Sequence, residues 1–154
     1  MSHAAKAYEY FETTPGQEQG NGEWFTITQE QINQFADCTH DHQFIHIDPV
    51  KAKDTPFGTT IAHGFLTLSM LSYFAESFSI VIEGVFMGVN YGFDKVRFLA
   101  PVKVDSKVRA VGKVMSIVEK NPGQFLIKYD VTIEIEGEDK PALKAEWLAM
   151  QMVG

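Results

Sequence analysis

Apolar and polar positions alternate with a helical period in the first half of the chain and with a strand period in the second. Residues 15–23, "PGQEQGNGE", read as a Gly-rich loop or early turn. "WFTIT" (24–28) follows as a short strand ending at Thr28. Thr28 is placed to cap a helix, with Gln31 three residues on as its capping-box partner. Ile32, Phe35 and Ala36 then recur at helical spacing, which predicts a short helix over 29–38. Asp48-Pro49 reads as a cap followed by proline at the first helical position, giving a short helix near 49–54. "TPFGTT" is loop. Residues 63–77, "HGFLTLSMLSYFAES", form the longest helical candidate. Phe65, Leu66, Leu68, Met70, Leu71 and Phe74 cover more than one stripe of it, and a helix apolar most of the way round is usually buried. At about 1.5 Å per residue it would run about 22 Å through the middle of a small domain.

After residue 80 the pattern changes. Residues 84–99, "GVFMGVNYGFDKVRFL", are rich in glycine, valine and aromatics, and Gly88 and Gly92 suggest bulges or close backbone approach. Over 107–119 the residues Val108, Ala110, Gly112, Val114 and Ser116 fall on one face of a strand. Asn121-Pro122-Gly123 is a turn. Residues 124–135, "QFLIKYDVTIEI", read as a strand, "EGEDKP" as another turn, and 142–152 as the last strand. Helical segments first and long antiparallel strands after them make an α+β layout, one sheet packed on one long helix.

The length, 154 residues, fits a single domain over 1–154 with a real core. A hydrophobic fraction of 45% and a charged fraction of 21% suit a globular chain, not a disordered one. The net charge is −7 and no Lys/Arg cluster occurs, which argues against nucleic acid as partner. An acidic surface can still hold a local basic patch for a phosphorylated ligand. Cys38 is the single cysteine, expected in the core or at a helix end, and no intrachain disulfide can form. No signal-peptide pattern opens the chain and no run of about 20 apolar residues occurs, so no membrane partner and a cytoplasmic location are expected.

One stretch gathers chemistry. "FADCTHDHQFIHIDP" (35–49) holds three histidines and three aspartates. Three readings are open: solvated loop polarity, a metal nest around His40-Asp41-His42, or an acid–base pair. No zinc or iron ligand pattern completes the second, and no metal is expected. For the third, Asp41 and His46 are five apart. On a helix they would point well apart, whereas a loop curling back between two helices brings them together. Phe44 and Ile45 would anchor such a loop. A carboxylate and an imidazole sharing a site can hold a water and move its protons.

"TIAHGFL" (60–66) is the second candidate. Gly64 opens the long helix, where free N–H groups gather, and a glycine there lets a ligand carbonyl approach the backbone as in an oxyanion hole. The competing reading is that Gly64 only relieves crowding. His63 is either a ligand contact or a hydrogen-bonded residue at the helix start. Ser69 and Ser72 lie in this helix, but no G-x-S-x-G elbow marks a nucleophile.

The stretch "FADCTHDHQFIHIDPVKAKDTPFGTTIAHGFLTLSML" resembles the hydratase signature of the MaoC-like dehydratases, which include the (R)-specific enoyl-CoA hydratases and the NodN-like subgroup. The match falls on Asp41, His46, Asp48, Pro49, His63 and Gly64. "VNYGFDKVRFLAPVKVDSKVR" resembles the NodN-like subgroup at Asn90, Tyr91, Gly92, Val96, Arg97, Phe98, Pro101 and Val102. The resemblance runs from about Trp24 to the end and leaves residues 1–23 outside it. Where many hydratases have Asn-Pro-Leu before the histidine, this chain has Gln43-Phe44-Ile45, the variant of the NodN-like subgroup. The resemblance implies a hot-dog fold, a long antiparallel sheet wrapped around a central helix, and a homodimer whose sheets join edge to edge. It implies reversible syn addition of water to a trans-2-enoyl thioester of CoA or acyl-carrier protein, giving an (R)-3-hydroxyacyl thioester, with no cofactor. Asp41 and His46 would hold the water, one taking its proton and the other supplying one to the α-carbon. The Gly64 N–H would bind the thioester oxygen, Ser72 would steady the aspartate, and Asn90 and Tyr91 would contact the acyl or pantetheine part. A hot-dog thioesterase and a non-catalytic acyl-thioester-binding module are the alternatives.

Overall fold

Helices in the first half start where short polar side chains can satisfy their free N–H groups. The structure, a computed structural model, describes residues 18–154. Helix α1 (Gln29–Thr39) starts at Thr28, whose Oγ1 accepts from the Gln31 N–H at 3.2 Å. The expected capping box is only half made, because the Gln31 side chain turns toward the core and donates to Met70 Sδ at 3.5 Å. Helix α2 (Phe44–Ile47) is a single turn. Helix α3 (Pro49–Ala52) begins at Asp48, whose Oδ1 accepts from the Val50 and Lys51 N–H groups at 3.1 and 3.0 Å. It is two residues shorter than the pattern predicts.

The expected helix over 63–77 is two segments, α4 (Gly64–Ser69) and α5 (Leu71–Phe78), meeting at Met70. Nor is it buried all round. Leu66, Met70, Leu71, Phe74 and Phe78 face the core, while Phe65 is 69% and Tyr73 58% exposed. The sheet covers only one side of the helix, so apolar residues on the other side meet solvent in the single chain.

The sheet contains β1 (Glu18–Asn21), β2 (Phe25–Thr26), β3 (Val85–Phe98), β4 (Lys107–Asn121), β5 (Gln124–Ile135) and β6 (Leu143–Val153). Its order is β1-β4-β5-β6-β3, with β2 also on β4. Every pairing is antiparallel. Residues 18–21, expected in a loop, are β1; residues 15–17 of that expectation lie outside the described residues. A polar sequence does not announce this strand, whose backbone pairs with β4 at Glu18↔Lys113 and Asn21↔Val111. In β4 the predicted alternation holds to Val114. A register shift between Val114 and Ser116 then puts Ile117, not Ser116, inside. In β3 a shift does fall between Asn90 and Gly92, whereas Gly88 pairs regularly with Gln151. Among the described residues no helix is long and apolar enough to cross a membrane.

The concave face of the sheet holds the helix in the hot-dog arrangement. Phe125, Ile127, Tyr129, Val131 and Ile133 of β5 are fully buried and form one core cluster with Leu71, Phe74 and Phe78 of α5. Two side chains of the sheet fix the chain leaving α5. Tyr129 Oη accepts from the Ile80 N–H, and the Gln151 amide donates to Ile80 O at 2.6 Å and accepts from the Ile82 N–H at 2.9 Å. Phe78 lies on the bare backbone of Gly112: a Cβ there would stand 2.3 Å from its ring. Gly112→Ala is therefore expected to lower stability by about 1–3 kcal/mol, the usual cost of overpacking, read as a lower midpoint in urea unfolding.

Candidate active site

The site begins where α1 ends. His40 takes a left-handed conformation (φ 62°), which turns the chain out of the helix and into the 41–43 loop. Asp41 Oδ1 accepts a long bond, 3.4 Å, from the Gln43 N–H. His46 follows within α2, buried at 7% exposure. Its backbone is held from α1, because Gln29 Nε2 donates to His46 O at 2.7 Å. The fully buried Thr60 fixes Gln29 in turn, its hydroxyl donating to Gln29 Oε1. The Ile61 N–H donates to Ile45 O at 3.0 Å, and His46 Nδ1 donates back to Ile61 O at 2.7 Å. The segment before α4 thus clasps α2 from both sides of His46.

That clasp brings the expected pair together. An oxygen of Asp41, a ring nitrogen of His46 and a ring nitrogen of His63 all lie within 4.8 Å of one another. His63 is 3% exposed and its ring stacks on that of His46, 3.8 Å between centroids at 23°. Its Nε2 donates to the main-chain oxygen of Asp41 at 3.0 Å. Burial pushes the His46 imidazole below its ordinary value of 6.5; the nearby His63 acts in the same direction, and the Ile61 bond and Asp41 act against it. In the neutral ring the Nδ1 proton is fixed on Ile61, so Nε2 carries the free lone pair.

This trio does not suit a shared metal ion. With the two rings face to face at 3.8 Å, an ion between them would sit over the ring faces and outside both lone-pair planes. The flanking histidines go elsewhere: His40 is exposed, and His42 Nε2 pairs with the exposed Asp37 at 2.8 Å. Phe44 does not anchor the loop, being 42% exposed. The hydrogen bonds of Gln29 and Ile61 do that work. Cys38 is exposed at the end of α1, not in the core.

Gly64 is the first residue of α4, so its N–H has no acceptor within the helix. It lines a cavity of about 290 Å³ together with His46, Ala62, Thr67, Phe98 and Val102. Ser72 and Asn90 line a different cavity of about 190 Å³, with Leu68, Phe93 and Trp147. The described contacts include no bond from Ser72 to Asp41, and Tyr91, 58% exposed, lines neither cavity. The break at Met70 separates Ser72 from the Gly64 end of the helix. A larger groove of about 670 Å³ lies across the sheet from Trp24 past Arg109 to Lys144; Arg109 there pairs with Glu134 at 2.8 Å. It includes none of the trio.

Sequence reasoning missed Gln29 and Thr60, which hold His46 from behind. A polar residue in the first turn of a helix reads as solvent-facing, and "TPFGTT" reads as loop. Nothing in either pattern announces a 31-residue contact.

The description "MaoC like domain" matches residues 10–138 of this chain. Nodulation protein N of Rhizobium meliloti is 48% identical over 136 residues, 88% of this chain and 84% of that protein. The 3-hydroxyacyl-thioester dehydratase Z of Mycobacterium tuberculosis is 47% identical over 131 residues, 85% of this chain and 86% of that protein. The solved structure of a monoamine oxidase regulatory protein from Archaeoglobus fulgidus superposes with a TM-score of 0.77 at 26% identity, covering 94% of each chain. The hydratase signature, the wrapped sheet and these likenesses agree: this chain belongs to the MaoC-like dehydratase family.

Proposed function

We propose that this protein is an enoyl-thioester hydratase/dehydratase, adding water reversibly to a trans-2-enoyl-CoA or acyl-carrier-protein thioester to give an (R)-3-hydroxyacyl thioester. The observation that carries the reading is the meeting of Asp41 with His46 beside the cavity that Gly64 opens. The 3-hydroxyacyl-thioester dehydratase among its relatives supports the substrate class.

The hydrogen bond that fixes the His46 ring supports the following chemistry. A water held between the Asp41 carboxylate and His46 gives its proton to the free Nε2 as its oxygen adds to the β-carbon. The thioester carbonyl gains charge as the enolate forms, and the N–H of Gly64, without an acceptor in its own helix, is the donor that stabilises that oxygen in this reading. The imidazolium, steadied by Asp41, then returns the proton to the α-carbon from the same side. Addition is syn because one ring serves both carbons. The cavity is mostly apolar and at the small end of ligand-sized sites, which favours a short acyl group.

Loss of the conjugated enone absorbance on adding short trans-2-enoyl-CoA tests the reading, and a chain-length series reads the acyl preference. Release of free thiol instead would identify a thioesterase, and binding with neither change would identify a binding module. The rate should also fall on the acid side with a midpoint below 6.5, because burial lowers the His46 value and only the neutral ring accepts a proton. The same depression makes stability fall with pH: unfolded His46 binds protons from about 6.5 downward, before the folded ring does, so stability present above 6.5 is lost as pH drops through the folded value. A pH–rate profile and urea midpoints at several pH values check both.

A homodimer completes the proposal. Among the described residues β3 is an edge strand bonded only to β6, and Phe86, Val89 and Tyr91 along it are exposed, as are Phe65 and Tyr73 on the helix. Joining two β3 edges would cover this face. Light scattering is expected to give twice the chain mass, and Val89→Lys on β3 to halve it.

A further inference from the structure

We propose that His63 is a positioning residue that sets both members of the pair, holding the Asp41 main chain through Nε2 and the His46 ring through its face, and that it does not bind the thioester. The inference rests on the hydratase reading for its kinetic test, but its geometry stands without it.

Three observations carry it. His63 Nε2 is 3.0 Å from Asp41 O, so its proton goes to the backbone of the carboxylate residue and is unavailable to a ligand. Its ring lies flat on His46 and against Phe35, 5.0 Å between centroids, so both faces of its surroundings are protein. Its Nδ1 is buried and has no hydrogen-bond partner among the described residues. Among the described residues His46 and Gly64 line the cavity, whereas His63, like Asp41, does not, so its own bonds and not the cavity lining assign its role. The residue is therefore placed to act through its neighbours. The bond fixes the 40–41 turn, where His40 is already left-handed, and so fixes where the Asp41 carboxylate points. The stacked ring limits how His46 can rotate about its bond to Ile61.

Electrostatics agree with this placement. Among the described residues the titratable groups facing His46 are Asp41 from the loop and His63 from the start of α4; α1 contributes the uncharged Gln29. His63 lowers the His46 value while Asp41 raises it, so removing His63 should move His46 upward.

The experiment compares His63→Gln, which keeps an N–H donor near the Nε2 position, with His63→Phe, which keeps the stacked ring and loses the donor. In trans-2-enoyl-CoA hydration, His63→Phe is expected to lower kcat by about 10²-fold, of the size seen for misplaced catalytic groups, with KM nearly unchanged. His63→Gln should recover most of that loss. By NMR of histidine-labelled protein, the His46 midpoint should rise in both variants. A wild-type kcat in His63→Phe, or a loss confined to KM in either variant, would overturn the proposal, the latter by making His63 a substrate contact. An unmoved His46 midpoint in both folded variants would overturn it as well. If the wild-type protein hydrates no enoyl thioester, the hydratase reading fails by itself, and the His46 ring-proton NMR shifts, displaced in His63→Gln once the stacked ring is gone, still test the contact; unmoved shifts would overturn it.

Discussion

Asp41→Asn and His46→Ala are each expected to cut enoyl-thioester hydration by about 10²–10⁴-fold, His46 as the group that carries the proton and Asp41 as the group that holds the water and steadies the imidazolium. The two losses should not add. Both groups act on one water, within 4.8 Å of one another, so the double variant should fall little below the worse single variant. Neither change should unfold the protein. Asp41 is exposed, and its backbone bond to His63 survives in asparagine. His46→Ala opens space beneath the His63 ring and is the riskier of the two, so its circular dichroism spectrum should be compared with wild type. Singles that keep the wild-type rate while folded would remove the pair from the chemistry.

Gly64→Pro should be nearly as damaging, at about 10²–10³-fold, the effect of deleting one oxyanion donor. The substitution removes the N–H and puts the ring Cδ in its place. Proline is well tolerated at the first helical position, and His63 before it already has the extended backbone (φ −58°, ψ 137°) that a following proline requires. A side-chain carbon at this position stands about 3.1 Å from the Phe98 ring, which is half exposed and has room to turn. Gly64→Ala is the control, because it places the same Cβ against Phe98 and keeps the donor. A large loss in Gly64→Pro with a small one in Gly64→Ala assigns the effect to the N–H; equal losses would assign it to crowding.

Much of this site was legible in sequence because its logic is local. Asp41, His46 and the His63-Gly64 helix start stand out by spacing as one reading among several and match the family signature, and the left-handed His40 supplies the turn that lets a five-residue interval converge. What was not legible depends on partners far along the chain. The clasp of Ile45 by Ile61 and the support of Gln29 by Thr60 join segments 16 and 31 residues apart with groups that carry no periodic signal. The same division holds in the fold. Strands β4 to β6 announce themselves by alternation because one face is buried, up to the bulge at Ser116, which shifts the period without altering composition. The helix over 63–77 was read as buried on all sides because an apolar pattern does not say which neighbour covers each face. Ser72, two turns beyond Gly64 in an unbroken helix, sits past the Met70 junction beside another cavity.

The lone sulfhydryl of Cys38 has a practical consequence. It stands at the open end of α1, its sulfur 3.4 Å from the Phe35 carbonyl and unshielded by the core. A chromogenic disulfide dye will therefore titrate one equivalent of enzyme before any coenzyme is liberated, and an uncorrected trace would mimic a single hydrolytic turnover. Cys38→Ser gives a dye-silent protein for that assay, and a maleimide fluorophore on the native residue gives a probe three positions from Asp41.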